Sequence, residues 1–146
     1  MILIAFALAA VLFAIAALHA YWGIGGVWPG EDERSCARAI AGFKGIERMP
    51  STAASFAVVA ALLVAALVAL SLAGAVVLPV PSAFAMIAGA GAMLVFLGRG
   101  VAGFTPAWRR LTPEQPFATL DVRYYSPLCL AIGAGFLLLI FKGYFA

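Results

Sequence analysis

Ionised side chains are what this sequence has least of. Only 10% of its 146 residues are Asp, Glu, Lys or Arg, against 66% hydrophobic residues, and the mean hydropathy is +1.12. That excludes a water-soluble globule of ordinary composition, in which about a quarter of residues are charged. Histidine occurs once, at His19, so one chain cannot supply bis-histidine ligation of a haem, and no CxxCH attachment motif is present. Cys36 and Cys129 form no CxxC pair, which removes a zinc ribbon and a thioredoxin-type redox centre. No basic run is interleaved with aromatics, and a net charge of +3 is too small and local to imply a nucleic-acid partner. The glycine-rich stretch from Gly23 to Gly30 lacks the preceding strand and the GK[ST] ending of a phosphate-binding loop, and reads as helix termination beside Trp28-Pro29.

The charge that is present is segregated. Fourteen of the fifteen ionised residues fall between Glu31 and Arg48 or between Arg99 and Arg123, and Lys142 is the exception. Four apolar segments fill the remainder, at about 2–22, 52–73, 82–98 and 127–144. About 20 apolar residues in a helix cross the ~30 Å of a hydrocarbon core. The expected fold is all-α: a polytopic membrane protein, a four-transmembrane-helix bundle forming a single membrane domain over 1–146, with short interfacial helices in loops 1 and 3. An even number of spans returns both charged loops to one face, opposite the termini and the uncharged connector from Gly74 to Pro81. The first segment has no Lys or Arg before its hydrophobic core and runs into His19-Ala-Tyr21-Trp22, so it is expected to remain as an uncleaved helix.

Local signals place the loop helices. Glu31, Asp32 and Glu33 precede a short apolar stripe, predicting a helix over about Asp32 to Phe43. Ser51 or Thr52 caps the second span. In the third, Ala85, Gly89 and Ala92 make a small-residue face for close helix approach. Thr112 as cap, Pro113 at the first helical position and Glu114 in the first turn predict another short helix ending near Asp121, and Ser126-Pro127 repeats the signal for the fourth span. Eight of the nine basic residues lie in the two loops. The positive-inside rule therefore expects both loops in the cytoplasm and both termini outside, in a bacterial inner membrane. Both cysteines would then be reduced thiols, whereas the inverted topology would make them candidates for a disulfide.

Chemistry concentrates on the charged face. His19 reads as an interfacial imidazole, or as a proton carrier or polar handle for a ring-shaped ligand. Arg99 follows an apolar helix, where it either snorkels to phosphates or, with Arg123, clamps an anion. On one continuous helix Glu114 and Asp121 would lie on similar faces, the spacing of an acid–base pair, although capping accounts for Glu114. Trp22, Trp28, Trp108, Tyr21, Tyr124 and Tyr125 form an aromatic belt or wall a pocket for a flat lipophile. No acid falls within the spans so drawn, which removes the usual signature of a proton- or sodium-coupled transporter.

His19-x-Tyr21-Trp22-x-x-Gly25-Gly26-x-Trp28-Pro29-Gly30, Met49-Pro50-Ser51, Arg99-Gly100 and Tyr125-Ser126-Pro127-Leu128-Cys129 together resemble a family of small four-helix bacterial membrane proteins catalogued as a domain of unknown function. The resemblance implies a four-span fold and carries no activity, substrate or catalytic residue with it.

The leading expectation is an integral inner-membrane protein that binds a lipophilic ligand or serves a membrane complex as an accessory subunit. Its ligand contacts are expected from His19, Tyr21, Trp22, Trp28, Arg99, Trp108, Asp121, Arg123 and Tyr125. Its expected partners are membrane lipids and a membrane-protein complex or a second copy of the chain held through small-residue faces; no nucleic acid, metal or named cofactor is implied. The alternatives are a membrane-embedded enzyme acting on a lipid or isoprenoid, with His19 as acid or base, and a small oligomeric transporter.

Overall fold

A computed structural model describes the backbone of residues 1–145 and the side chains of residues 1–142. The protein is all-α, with four long apolar helices: α1 (Ile2–Gly23), α3 (Thr52–Leu72), α4 (Ser82–Ala102) and α7 (Ser126–Phe145). Shorter helices lie between them, α2 (Glu33–Ile40) in the first loop and α5 (Pro106–Leu111) and α6 (Phe117–Leu120) in the third. The chain is a multi-pass membrane protein. Tyr144, expected at the interface opposite the loops, has a side chain outside the described residues.

Helix α1 packs chiefly on α3, and α4 chiefly on α7, with much sparser contact between the two pairs. Small side chains explain the first pair. Ala5, Ala9 and Ala16 of α1 are buried with Ala65, Ala66 and Ala69 of α3, around Leu8, Leu12 and Leu62. Glycine explains the second, because a Cβ on Gly100 would stand 3.0 Å from the backbone nitrogen of Leu130 and one on Gly133 the same distance from that of Leu97. Each glycine thus seats a leucine of the facing helix. In lipid such close packing replaces the hydrophobic force that joins helices in water. Elsewhere lipid remains the solvent: in α4 only 17% of the most apolar window is buried inside the protein.

Several boundaries differ from those read in the sequence. Helix α2 is shorter than expected, and its start is a capping box in which the Ser35 amide donates to Asp32 Oδ1 at 2.7 Å. Helix α4 continues past Gly98 to Ala102, so Arg99 lies in its last turn. Thr112 is no N-cap. It is fully buried at the C-terminal end of α5, and the Thr–Pro pair that starts a helix is Thr105-Pro106, with Thr105 Oγ1 accepting from the Trp108 amide. Pro116 lies three residues after Pro113, at the first position whose amide a helix begun there would use, so that start loses its first ladder bond. Helix α7 starts at Ser126-Pro127, as the sequence signals, but it is not preceded by a loop. Helical backbone runs from Phe117 through a π-helical turn, Asp121–Tyr125, into α7, with the Ser126 amide donating to the Asp121 carbonyl. A wide turn before Pro127 accommodates the missing donor and the ring. Asp121 therefore lies in the helical turns that lead into α7.

The two polar loops meet on one face. Lys44 N donates to Leu111 O at 3.0 Å and Glu114 N to Gly42 O at 3.2 Å, while the Glu114 carboxylate accepts from the Gly45 amide at 2.9 Å and pairs with Arg38 at 3.6 Å. Glu114 serves this junction; it is not on one helix with Asp121.

Enlarging Gly133 or Gly100 to valine is expected to cost about 1–3 kcal/mol, because the neighbouring atoms include backbone that cannot yield. A Cβ on Gly91 would meet nothing within 4 Å, so Gly91→Ala should be neutral or stabilise by up to about 1 kcal/mol. Thermal unfolding in detergent compares them, and equal tolerance at Gly91 and Gly133 would contradict the seating.

Candidate functional site

Asp121 organises the charged end of the bundle. Its side chain is completely buried and its two oxygens accept four hydrogen bonds. Oδ1 receives Arg99 Nη2 at 2.7 Å and Ser126 Oγ at 3.0 Å; Oδ2 receives Trp108 Nε1 at 2.9 Å and Arg109 Nη2 at 3.0 Å. These four donors occupy the acceptor sites a carboxylate has. They come from the end of α4, from α5 and from the start of α7, so one side chain ties three segments together. The second arginine of this cluster is Arg109, not Arg123. Arg109 also donates to Ala118 O at 2.7 Å and to Thr112 Oγ1 at 3.2 Å. Arg123 is exposed, its guanidinium 6.0 Å from the Tyr124 ring. Arg99 lies 4.6 Å from the Trp108 ring centroid, a cation–π distance, and gives a further hydrogen bond to Ser126 Oγ at 3.3 Å.

Beside this cluster a cavity of about 860 Å³ separates the α1–α3 pair from the α4–α7 pair. Ile15, Leu62, Phe96 and Ile132 line its deep end, and Trp22, Trp28, Pro50 and Phe117 close in nearer the loops. Its polar lining comes from few side chains, among them His19, Ser55, Arg99, Tyr125 and Cys129. Apolar walls with a small number of placed polar groups are the usual form of a small-molecule site.

The loop side of the cavity is built by tied aromatics. Trp22 Nε1 donates to Trp28 O at 2.7 Å, the Trp28 amide to Tyr21 Oη at 3.4 Å, and Tyr125 Oη to Ala39 O at 3.2 Å. Gly42, at φ +64°, ends the turn after α2 and leaves room for the Phe117 ring, which any Cβ there would strike. The Asp32 cap that orients α2 has its carboxyl held below the usual carboxylate range, first by the Ser35 amide. A lowered value means that the cap contributes at neutral pH and is lost only as pH falls through it. Burial pushes the Cys36 thiol up, so it is a neutral packing group, donating weakly to Trp28 O at 3.6 Å.

His19 Nδ1 lies 2.8 Å from Ile15 O. A carbonyl only accepts, so Nδ1 carries a proton and donates it, and Nε2 has no hydrogen bond among the described residues. The ring packs edge-on to Trp22 at 5.0 Å.

Of the residues singled out in the sequence, His19, Trp22, Trp28, Arg99 and Tyr125 share the cavity wall, whereas Tyr21, Trp108, Asp121 and Arg123 do not line it. Trp108 and Asp121 stand behind Arg99 and hold it. The place of Arg109, Thr112 and Ser126 in this cluster was not foreseen, and no short spacing in the sequence points to it. Cys36 and Cys129 are both free. Among the described residues no three His, Cys, Asp or Glu side chains are grouped to hold a metal.

Residues 12–136 match the family described as protein of unknown function (DUF3995), and the chain belongs to that family. No curated protein and no solved structure matches it.

Removing the Asp121 charge leaves two guanidiniums facing each other. Asp121→Asn is expected to cost about 3–5 kcal/mol, the penalty for breaking a buried pair, and Arg123→Gln less than about 0.5 kcal/mol. Unfolding titrations in detergent measure both, and an Asp121→Asn protein as stable as the parent would refute the pinning role.

Proposed function

We propose that this is a bacterial inner-membrane protein that binds a lipophilic molecule between its two helix pairs, with both polar loops in the cytoplasm. The observation that carries the reading is the cavity of about 860 Å³. It is within the volume range of ligand sites, its deep walls are hydrocarbon, and its polar groups are gathered at the end next to the charged loops. An amphiphile matches that gradient: apolar body inward, polar end at headgroup depth. Several wall residues, such as Ala54, Val58 and Leu128, lie outside the buried core, so their apolar side chains are open to a lipophile.

The orientation follows from charge. The loops carry eight of the nine basic residues, and the connector between α3 and α4 carries none.

The binding reading is tested by purifying the protein gently from its own membranes and extracting it for mass spectrometry beside Val58→Trp, which adds bulk to the cavity wall without replacing a core residue. A lipophile that accompanies the parent and is depleted in the variant is the expected result; identical lipid content in both counts against the cavity as its site.

Orientation is checked with single cysteines in a chain lacking Cys36 and Cys129. A cysteine at Val77, which is 93% exposed in the α3–α4 connector, should react with an impermeant maleimide on spheroplasts. One at Glu47, in the first loop, should react only after lysis, and the reverse pattern inverts the topology.

A further inference from the structure

We infer that the cavity takes an amphiphile whose head is an oxyanion, a carboxylate or phosphate monoester, seated against Arg99 and His19. This rests on the reading that the cavity holds a lipophile and adds the chemistry of its polar end.

The charge of the cluster behind the wall is the starting point. Two guanidiniums, Arg99 and Arg109, face one carboxylate, Asp121, so one positive charge is left over. Asp121 has no acceptor capacity to spare, and Arg99 is the cluster member that reaches the cavity. Where the walls are mainly hydrocarbon, the field of that charge is poorly screened, and an anion is its complement.

Arg99 also has donors to offer. Nη2 gives one hydrogen to Asp121 and Nη1 one to Ser126, while Trp108 stacks against the guanidinium. A guanidinium carries five N–H donors, so three are uncommitted, in the fork geometry that suits carboxylate and phosphate.

His19 supplies the opposite function. With Nδ1–H donating to Ile15 O, Nε2 is the ring nitrogen that has no hydrogen bond among the described residues. An acid head that gives its proton to Nε2, the O–H bond breaking as the N–H bond forms, leaves anionic oxygens that accept from both the guanidinium and the imidazolium. A quinone head has carbonyl acceptors and no proton to give, so an unprotonated Nε2 would stay without a donor. From the loop side to the deep end, the wall from Trp22 to Ile15 on α1 and from Ala54 to Leu62 on α3 runs about 10–12 Å along the helix axes, of which about 6 Å on α1, from His19 to Ile15, lies below the head.

The test is a fluorescence titration of the purified protein in non-ionic detergent with a dansyl-labelled fatty acid and with its methyl ester, counting the signal that Val58→Trp loses. The acid is expected to bind about tenfold more tightly than the ester, as one charge-assisted hydrogen bond implies. Arg99→Gln should erase the preference, and Arg123→Gln, outside the cluster, should keep it. Equal affinities of the parent for acid and ester overturn the oxyanion head and leave the lipophile reading standing. Binding of neither overturns that reading itself. Displacement of the acid by acetate or inorganic phosphate alone would make this a site for a free anion and overturn the amphiphile. The acid-to-ester comparison on the parent protein needs no substitution, so it decides the matter even if Arg99→Gln does not fold.

Discussion

One carboxylate, Asp121, holds four donors from the end of α4, from α5 and from the start of α7, and the geometry of the charged end depends on it. A buried ion pair is not a cheap way to stabilise a protein, since desolvation offsets much of the Coulomb attraction. What it fixes is position. Arg99 would otherwise be a long, flexible side chain at the end of a helix; between Asp121, Ser126 and the face of Trp108 it has one place, at the cavity wall. The same carboxylate seats α5 on the fourth span, and the end of α5 at Leu111, with Glu114 just beyond it, pairs with the first loop. Arrangement of both loops over the cavity is therefore continuous with a single buried interaction.

Hydrocarbon packing and polar bonding hold the bundle side by side. Alanines of α1 against α3 and reciprocal glycine–leucine seats between α4 and α7 bring backbones close, as packing in lipid requires. Gly100 lies directly after Arg99, so α4 and α7 are in close contact at the level where Asp121 also joins them. The cavity lies between this pair and α1–α3, whose mutual contacts are sparser. On its loop side Trp22 and Tyr125 each use a polar tip to tie loop to helix, and Trp28 joins through its backbone, so the belt expected from amphipathic rings is also a wall.

The spans were legible because apolar length needs no tertiary information, and the four apolar segments became the four long helices. The first loop helix was legible from its acids, although its cap proved to be the Asp32–Ser35 box. The third loop was not. Thr105-Pro106 and Thr112-Pro113 carry the same start signal, and only Pro116 separates them, since a helix begun at Pro113 would meet a residue with no N–H where the ladder needs one. Reading Arg99 as a terminator shortened α4, because its neutralising acid lies 22 positions away. The pairing of Arg109 with Asp121 follows from three segments folding together, and no local pattern encodes it. The cavity wall was partly legible: His19, Trp22, Trp28, Arg99 and Tyr125 stood out as polar or aromatic at span ends, while the apolar members look like any other membrane residue.

The stoichiometry of the cluster bears on how the site and the fold are related. A single arginine would neutralise Asp121, and the bundle would then present a sealed, uncharged interior. Adding Arg109 on the loop side satisfies Oδ2 and anchors Ala118 and Thr112, which is structural work. Its consequence is electrostatic: with Asp121 shared, neither guanidinium is fully neutralised, and the excess reaches the cavity through Arg99. Arg109 could hold its backbone partners as a neutral donor would, but a guanidinium cannot shed its proton at physiological pH. The fold therefore keeps a positive charge at the one boundary where a hydrocarbon cavity meets the polar loops. Structural anchoring and the polarity of the cavity thus follow from the same three side chains.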